Sequence, residues 1–209
     1  MEQGFDDLHT ESTPLSPDDE FGGPDESTKG SGFWRFLRDV FETLVLAAVL
    51  FVVINTISAR IRVDGSSMVP TLHDGQFVMV NRWAEKFGSL KHGDIVVFHY
   101  PRDPDQEYIK RIIGLSGDSV RIDNGKVYVN NQELIEPYIA AAPRNRGTWT
   151  VPEEHIFVLG DNRNNSQDSR SFGYVSKEDV IGKAIFIYWP PTDWGLITSP
   201  EVEASLIYP

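Results

Sequence analysis

Residues 119–130 read SVRIDNGKVYVN, and the fold class turns on this stretch. Apolar and polar residues alternate on both sides of Asp123-Asn124-Gly125, as in two half-buried strands joined tightly. Gly125 supplies the positive φ that a tight hairpin turn requires, so the segment predicts a β-hairpin. Working outward, QFVMVNRW (76–83), DIVVFHY (94–100), YIKRIIGL (108–115), IFVLG (156–160) and AIFIYW (184–189) also read as short strands. Glycine-aspartate pairs at 93–94, 117–118 and 160–161 read as turns. Beyond residue 60 there is no internal repeat and no long helical period, so this part of the chain is expected to be mainly β.

A chain of 209 residues suffices for one good-sized domain with its own core. The net charge of −12 is concentrated at the start, where residues 1–32 carry nine acids against Lys29 alone. That head has few large apolar side chains to offset its ordering entropy and is expected to be disordered. No basic stripe is present to neutralise phosphates, which argues against a nucleic-acid partner. The absence of cysteine excludes disulfides, thiolate catalysis and zinc–thiolate sites together.

LVLAAVLFVVINTI (44–57) is the most apolar run, but its fourteen residues fall short of the ~20 needed to span a bilayer. FWRFLRDVFET (33–43) extends it, giving a helix from about Trp34 to Ser58. Trp34 and the charged Arg35, Arg38, Asp39 and Glu42 would then lie at the membrane interface. A buried core helix is the alternative. A signal peptide would begin with a short basic region, not an acidic head, so an uncleaved anchor is expected. The expected organisation is a disordered acidic tail (1–32), a transmembrane helix (33–59) and a β-domain (60–209). Basic residues are nearly balanced across the anchor (Lys29, Arg35 and Arg38 against Arg60 and Arg62), so charge alone leaves its direction open.

GSSMVPTL (65–72) follows the anchor closely and holds two serines. A hydroxyl becomes a useful nucleophile only when a base takes its proton. Of the five histidines, His9 lies in the acidic head, His73, His92 and His155 sit beside turn signals, and His99 ends an apolar strand. There is no Gly-x-Ser-x-Gly elbow. Lys110 stands out from the other lysines because YIKRIIGLSGD (108–118) surrounds it with apolar residues. Strand alternation sends Lys110 and Arg111 to opposite faces, one inward and the other to solvent. An ammonium group moved into an apolar pocket has its pKa lowered, and a neutral lysine can act as a general base. The alternative is a lysine tip reaching solvent from an edge strand. GDNRNNSQDSRSFGYV (160–175) is a polar loop after HIFVL, with Asp168 and Arg170 spaced for an ion pair.

Taken together and in order, GSSMVPTL, GDIVVF (93–98), YIKRIIGLSGD and GDNRNNSQDSR with FGYV resemble the conserved boxes of the bacterial type I signal peptidases, or leader peptidases. These are membrane-bound serine proteases of the Ser/Lys type. The resemblance implies Ser67, directly before Met68, as nucleophile and Lys110 as general base. It implies that Ser166 helps position the lysine amine, with Asp168 and Arg170 as a supporting pair. Ile61, Val63, Met68, Tyr108 and Ile109 match positions near the pockets for small residues one and three places before the cut. Gly65 stands where some relatives carry a serine that assists the oxyanion hole, so the donors here would be mainly backbone, with the Ser67 N–H foremost. The implied fold is a compact signal-peptidase-like β-domain, without a large second domain, behind one transmembrane helix.

The resemblance also implies signal-peptide-bearing preproteins and the lipid bilayer as partners, with no metal and no cofactor. The acidic head would lie in the cytoplasm and the β-domain on the extracytoplasmic side of the plasma membrane. A monomer is expected. Trp189 and Trp194, in YWPPTDWGLI (188–197), would either seat at the lipid headgroups or pack on the sheet. Two rivals remain: a self-cleaving transcriptional regulator, disfavoured by the acidic head, and a membrane-anchored binding module without activity.

Overall fold

The computed structural model describes residues 29–84 and 90–198. Up to residue 28, the acidic head lies outside the described residues. The chain divides into two compact units between Ala48 and Val49, within the first helix. That helix, α1 (Lys29–Ile57), starts inside the segment expected to be unstructured and takes in residues 29–32. Every side chain from Gly32 to Thr56 is exposed, including Phe36, Phe41, Leu46 and Phe51. The apolar stretch Gly32–Ile57 has 26 residues. At about 1.5 Å per residue it is long enough to cross the ~30 Å hydrocarbon layer of a bilayer.

The helix ends at Ile57, not at residue 59. Ser58 and Ala59 open β1 (Ser58–Arg62), where they pair with Asn81 and Val80 of β2 (Phe77–Asn81). The remaining strands are β3 (Ile95–Tyr100), β4 (Asp103–Gly114), β5 (Ser119–Asp123), β6 (Lys126–Val129), β7 (Gln132–Glu133), β8 (Gly147–Thr150) and β9 (His155–Leu159). A single helical turn, α2 (Ser169–Phe172), precedes β10 (Val175–Ser176), β11 (Val180–Trp189) and β12 (Gly195–Leu196). The larger sheet runs in the order β1-β2-β11-β3-β4-β9-β10, with β12 paired to β11. The smaller sheet runs β7-β6-β5-β8. All pairings are antiparallel. The expected hairpin joins β5 to β6, with Asp123 opposite Lys126 and both Asn124 and Gly125 at positive φ.

β4 is an interior strand. Val96 of β3 flanks Lys110 on one side, and Ile95 and Leu159 flank Arg111 on both; at 4% exposure the Lys110 side chain does not reach solvent. Three core clusters surround it. One gathers Val63, Met68 and Leu72 from the serine segment against Val78, Val80, Val97 and Ile109. A second joins Ile113, Phe157 and Leu159 of the larger sheet to Val120, Ile122, Val127 and Val129 of the smaller one. A third collects Phe98, Tyr100, Ile112, Val158 and Phe172. Side chains this fully buried each contribute about 1.5–3 kcal/mol relative to exposure, which holds the strand carrying Lys110 rigidly from both faces.

Candidate active site

The serine segment is built to raise one hydroxyl. A helical turn closes with the Leu72 N–H donating to the Met68 carbonyl at 2.9 Å. Residues four apart share a face in such a turn, and both Met68 and Leu72 are buried in the core. Ser67, one residue earlier, is left partly exposed. Val63 and Met68 are each only 1% exposed and pack in the core beneath the segment, and neither is among the residues that line the cleft into which Ser67 opens. The same turn that lifts Ser67 drives Met68 inward.

Gly65 adopts φ +85°, a left-handed conformation that glycine reaches without steric cost, and its N–H donates to Asp74 Oδ1 at 2.7 Å. That amide is therefore engaged. The Ser67 N–H has no hydrogen-bond acceptor among the described residues. The Ser66 hydroxyl instead accepts a bond from Asn165 Nδ2 at 2.9 Å, and the Ser66 carbonyl accepts from Asn162 Nδ2 at 3.1 Å. Ser66 thus ties the segment to the loop after β9.

Lys110 Nζ lies 2.8 Å from Ser67 Oγ and also donates to the Ile109 carbonyl at 2.8 Å. Lys110 is 4% exposed and makes no salt bridge among the described residues. Burial lowers its pKa to about 8, partly opposed by the more distant carboxylates of Asp168 and Asp161. About a tenth of such an amine is unprotonated at pH 7 and half at pH 8, against a negligible share for an ordinary lysine, which suits a base for a hydroxyl. None of the described histidines hydrogen-bonds Ser67. His92 pairs with Asp118 at 2.6 Å, His99 bonds the Pro104 carbonyl, and His155 bonds the Glu153 carbonyl.

The loop between β9 and α2 closes the far side of the pair. Asn162 N–H donates to the Ser67 carbonyl at 3.0 Å. A Cβ on Gly160 would come within 2.6 Å of the Ser67 carbonyl oxygen and would overlap Ser166, so only glycine allows this approach. Asp168 caps α2, takes a bidentate pair of bonds from Arg170 (2.8 and 2.7 Å) and accepts the Gly160 N–H at 3.1 Å. Ser166 Oγ is buried and makes no hydrogen bond among the described residues, the lysine amine included.

Arg111 departs furthest from expectation, being 1% exposed on the face opposite Lys110 and not solvent-facing. It makes a bidentate pair with Asp161 (2.8 and 2.6 Å) and donates to the Gly93 carbonyl at 2.7 Å. Asp161 also accepts a bond from the Thr71 hydroxyl, in the serine segment, at 2.5 Å. Sequence reasoning read Asp161 only as a turn residue. The available signal was Arg111 itself, since an arginine inside an apolar strand demands a carboxylate from elsewhere.

Ser67 and Lys110 open into a cleft of about 450 Å³ whose walls include Ile61, Val97, Tyr108 and Ile109, with Arg62 and Glu107 also lining it. Tyr108 stacks on Tyr100 with ring centroids 4.5 Å apart and donates to Gln167 at 3.2 Å, which fixes that wall. Among the described residues, no group of three or more His, Asp or Glu side chains is arranged to hold a metal ion.

A family model described as "Signal peptidase, peptidase S26" matches residues 37–189. A probable signal peptidase I-2 of Synechocystis is 41% identical over 80% of this chain and 81% of its own. Signal peptidase I S of Bacillus subtilis is 39% identical over 71% of this chain and 87% of its own. A crystal structure of a signal peptidase I from Enterococcus faecalis is 36% identical and aligns with a TM-score of 0.43, covering 45% of this chain and 95% of that one.

Proposed function

The chain belongs to the signal peptidase family, peptidase S26, and within it to the type I signal peptidases, serine endopeptidases that remove signal peptides; on that premise we propose that it cuts exported preproteins after small residues at −3 and −1 with Ser67 and Lys110. The observation that carries the reading is the 2.8 Å contact between an unpaired, buried amine and a hydroxyl at the floor of an open cleft. Neutral Lys110 takes the Ser67 proton as Oγ attacks the scissile carbonyl. The Ser67 N–H supports the developing oxyanion, a role the Gly65 N–H cannot share while it is bonded to Asp74. The lysine then protonates the leaving amine, and the mature protein departs. Lys110 next activates water to release the signal peptide from Ser67. Asp168, with Arg170, holds the loop against the pair, and Ser166 fills the space beside it. Ile61, Tyr108 and Ile109 line the pockets for the small side chains.

The same reading treats 33–57 as a membrane anchor, because a helix with Phe36, Phe41 and Phe51 exposed to water would forfeit their burial energy. The acidic head then lies in the cytoplasm and residues 60–209 form the extracytoplasmic catalytic domain. Ser67 follows the end of the helix by ten residues, so a chain extended at about 3.3 Å per residue keeps it within ~33 Å of the bilayer, where signal peptides themselves are held.

The test is cleavage of a preprotein with small residues at −3 and −1, in detergent or liposomes, with mass spectrometry of the new N-terminus. Cleavage after the −1 residue by the wild type, lost in both Ser67→Ala and Lys110→Met, supports the assignment. Activity that survives Lys110→Met places the base elsewhere.

A further inference from the structure

The segment joining β7 to β8, residues 134–146, belongs to the smaller sheet by connection but bonds chiefly to the loop that backs the active pair. Glu136 makes a bidentate pair with Arg163, whose side chain is completely buried while that of Glu136 is 5% exposed. The Tyr138 ring lies over the Arg111 guanidinium at 3.9 Å, and its hydroxyl donates to Glu136 at 3.0 Å. Further along, the Ala142 carbonyl accepts from Asn164, the Arg144 N–H donates to Asn164, and Asn145 accepts from Arg170. The groups so held are the ones that hold Ser67 and Lys110. Arg163 donates through Nε to the Gly160 carbonyl at 3.0 Å, and Gly160 is the glycine pressed against the Ser67 carbonyl. Arg111 adjoins Lys110 in β4 and reaches the serine segment through Asp161 and Thr71.

We propose that Glu136 and Tyr138 are positioning residues for the Ser67–Lys110 pair, acting through Arg163 and Arg111; this rests on the function proposed above. A loop that merely needed covering could be covered by apolar side chains with less desolvation cost. This segment instead presents a bidentate carboxylate and an aromatic face against a guanidinium, contacts that fix direction as well as distance. Loss of either contact lets the 160–170 loop and Arg111 shift, and small displacements of reacting atoms reduce turnover steeply.

The experiment compares the full chain in detergent with Tyr138→Leu, Tyr138→Phe and Glu136→Gln. It reads kcat and KM on one preprotein, normalised to the folded fraction from circular dichroism melts. Tyr138→Leu and Glu136→Gln are expected to lower kcat by about tenfold or more with KM changed by less than about twofold, while Tyr138→Phe, which keeps the ring over Arg111, stays within about threefold of wild type. An unchanged kcat per folded molecule in Tyr138→Leu and Glu136→Gln would overturn the proposal, as would a loss carried by KM or a Phe variant as impaired as Leu. Should Tyr138→Leu fail to fold, Glu136→Gln and Tyr138→Phe decide it by the same criteria. A wild type that cuts no such preprotein removes the function itself, and the positioning role with it.

Discussion

Lys110 and Arg111 are consecutive residues of one strand and both are buried, yet their surroundings are opposite. Arg111 has a bidentate carboxylate, a carbonyl and an aromatic face. Lys110 has a hydroxyl, a carbonyl and, at 5.3 Å, the Tyr108 ring, so what separates the two is the carboxylate, of which Lys110 contacts none among the described residues. The fully paired cation is a fixed structural post. The unpaired one has its charged form destabilised, and its pKa falls to about 8. For a titratable amine, burial with the counter-charge withheld is what favours the neutral, basic form.

The comparison breaks most visibly if a permanently charged group replaces the titratable one. Lys110→Arg, like Ser67→Ala, is expected to lower kcat/KM by ~10³-fold or more, since a guanidinium cannot take the serine proton. The preprotein assay measures it. On the other face, Asp161→Ala strands Arg111 without its partner and should cost about 3–5 kcal/mol of stability, read by urea unfolding of the full chain in detergent. A double variant that also changes Arg111 to Met should recover part of that loss.

A third test uses the sign of the Lys110 shift. Its folded pKa, about 8, lies below the ordinary 10.5, so the unfolded state binds more protons between these values and stability rises with pH across that window. Below pH 8 the full cost of burying the ammonium is present, roughly 3 kcal/mol at 1.36 kcal/mol per pKa unit. Lys110→Met should accordingly be more stable than wild type at pH 7 by about that amount, with the gap closing as pH approaches 10.5. A gap that is constant with pH would mean the lysine is not desolvated. The smallest effect is expected from Ser66→Ala, which loses one exposed bond to Asn165 and should change kcat/KM by less than about threefold.

The hairpin at 123–126 was legible because Asn-Gly chemistry and alternation agree locally, and the interior strands because their apolar runs are long. β8, β10 and β12 were not, since two to four residues leave too little pattern to read. Alternation correctly separated Lys110 from Arg111, but a single strand does not reveal that both faces of its sheet are covered. Tyr138 and Asp161 do the covering, from 27 and 50 residues further along the chain. The burial of Val63 and Met68 was illegible for a related reason: a motif marks which residues lie near a cleft, while the turn between Met68 and Leu72 determines which side each faces.

The most direct test of the central claim is the pH profile of kcat/KM for wild type on a preprotein with small residues at −3 and −1. If neutral Lys110 is the base, activity should rise with unit slope through an acidic limb near pH 8 and level off above it. A limb near pH 6.5, the ordinary range of histidine, or a profile flat from pH 6 to 9 would contradict it.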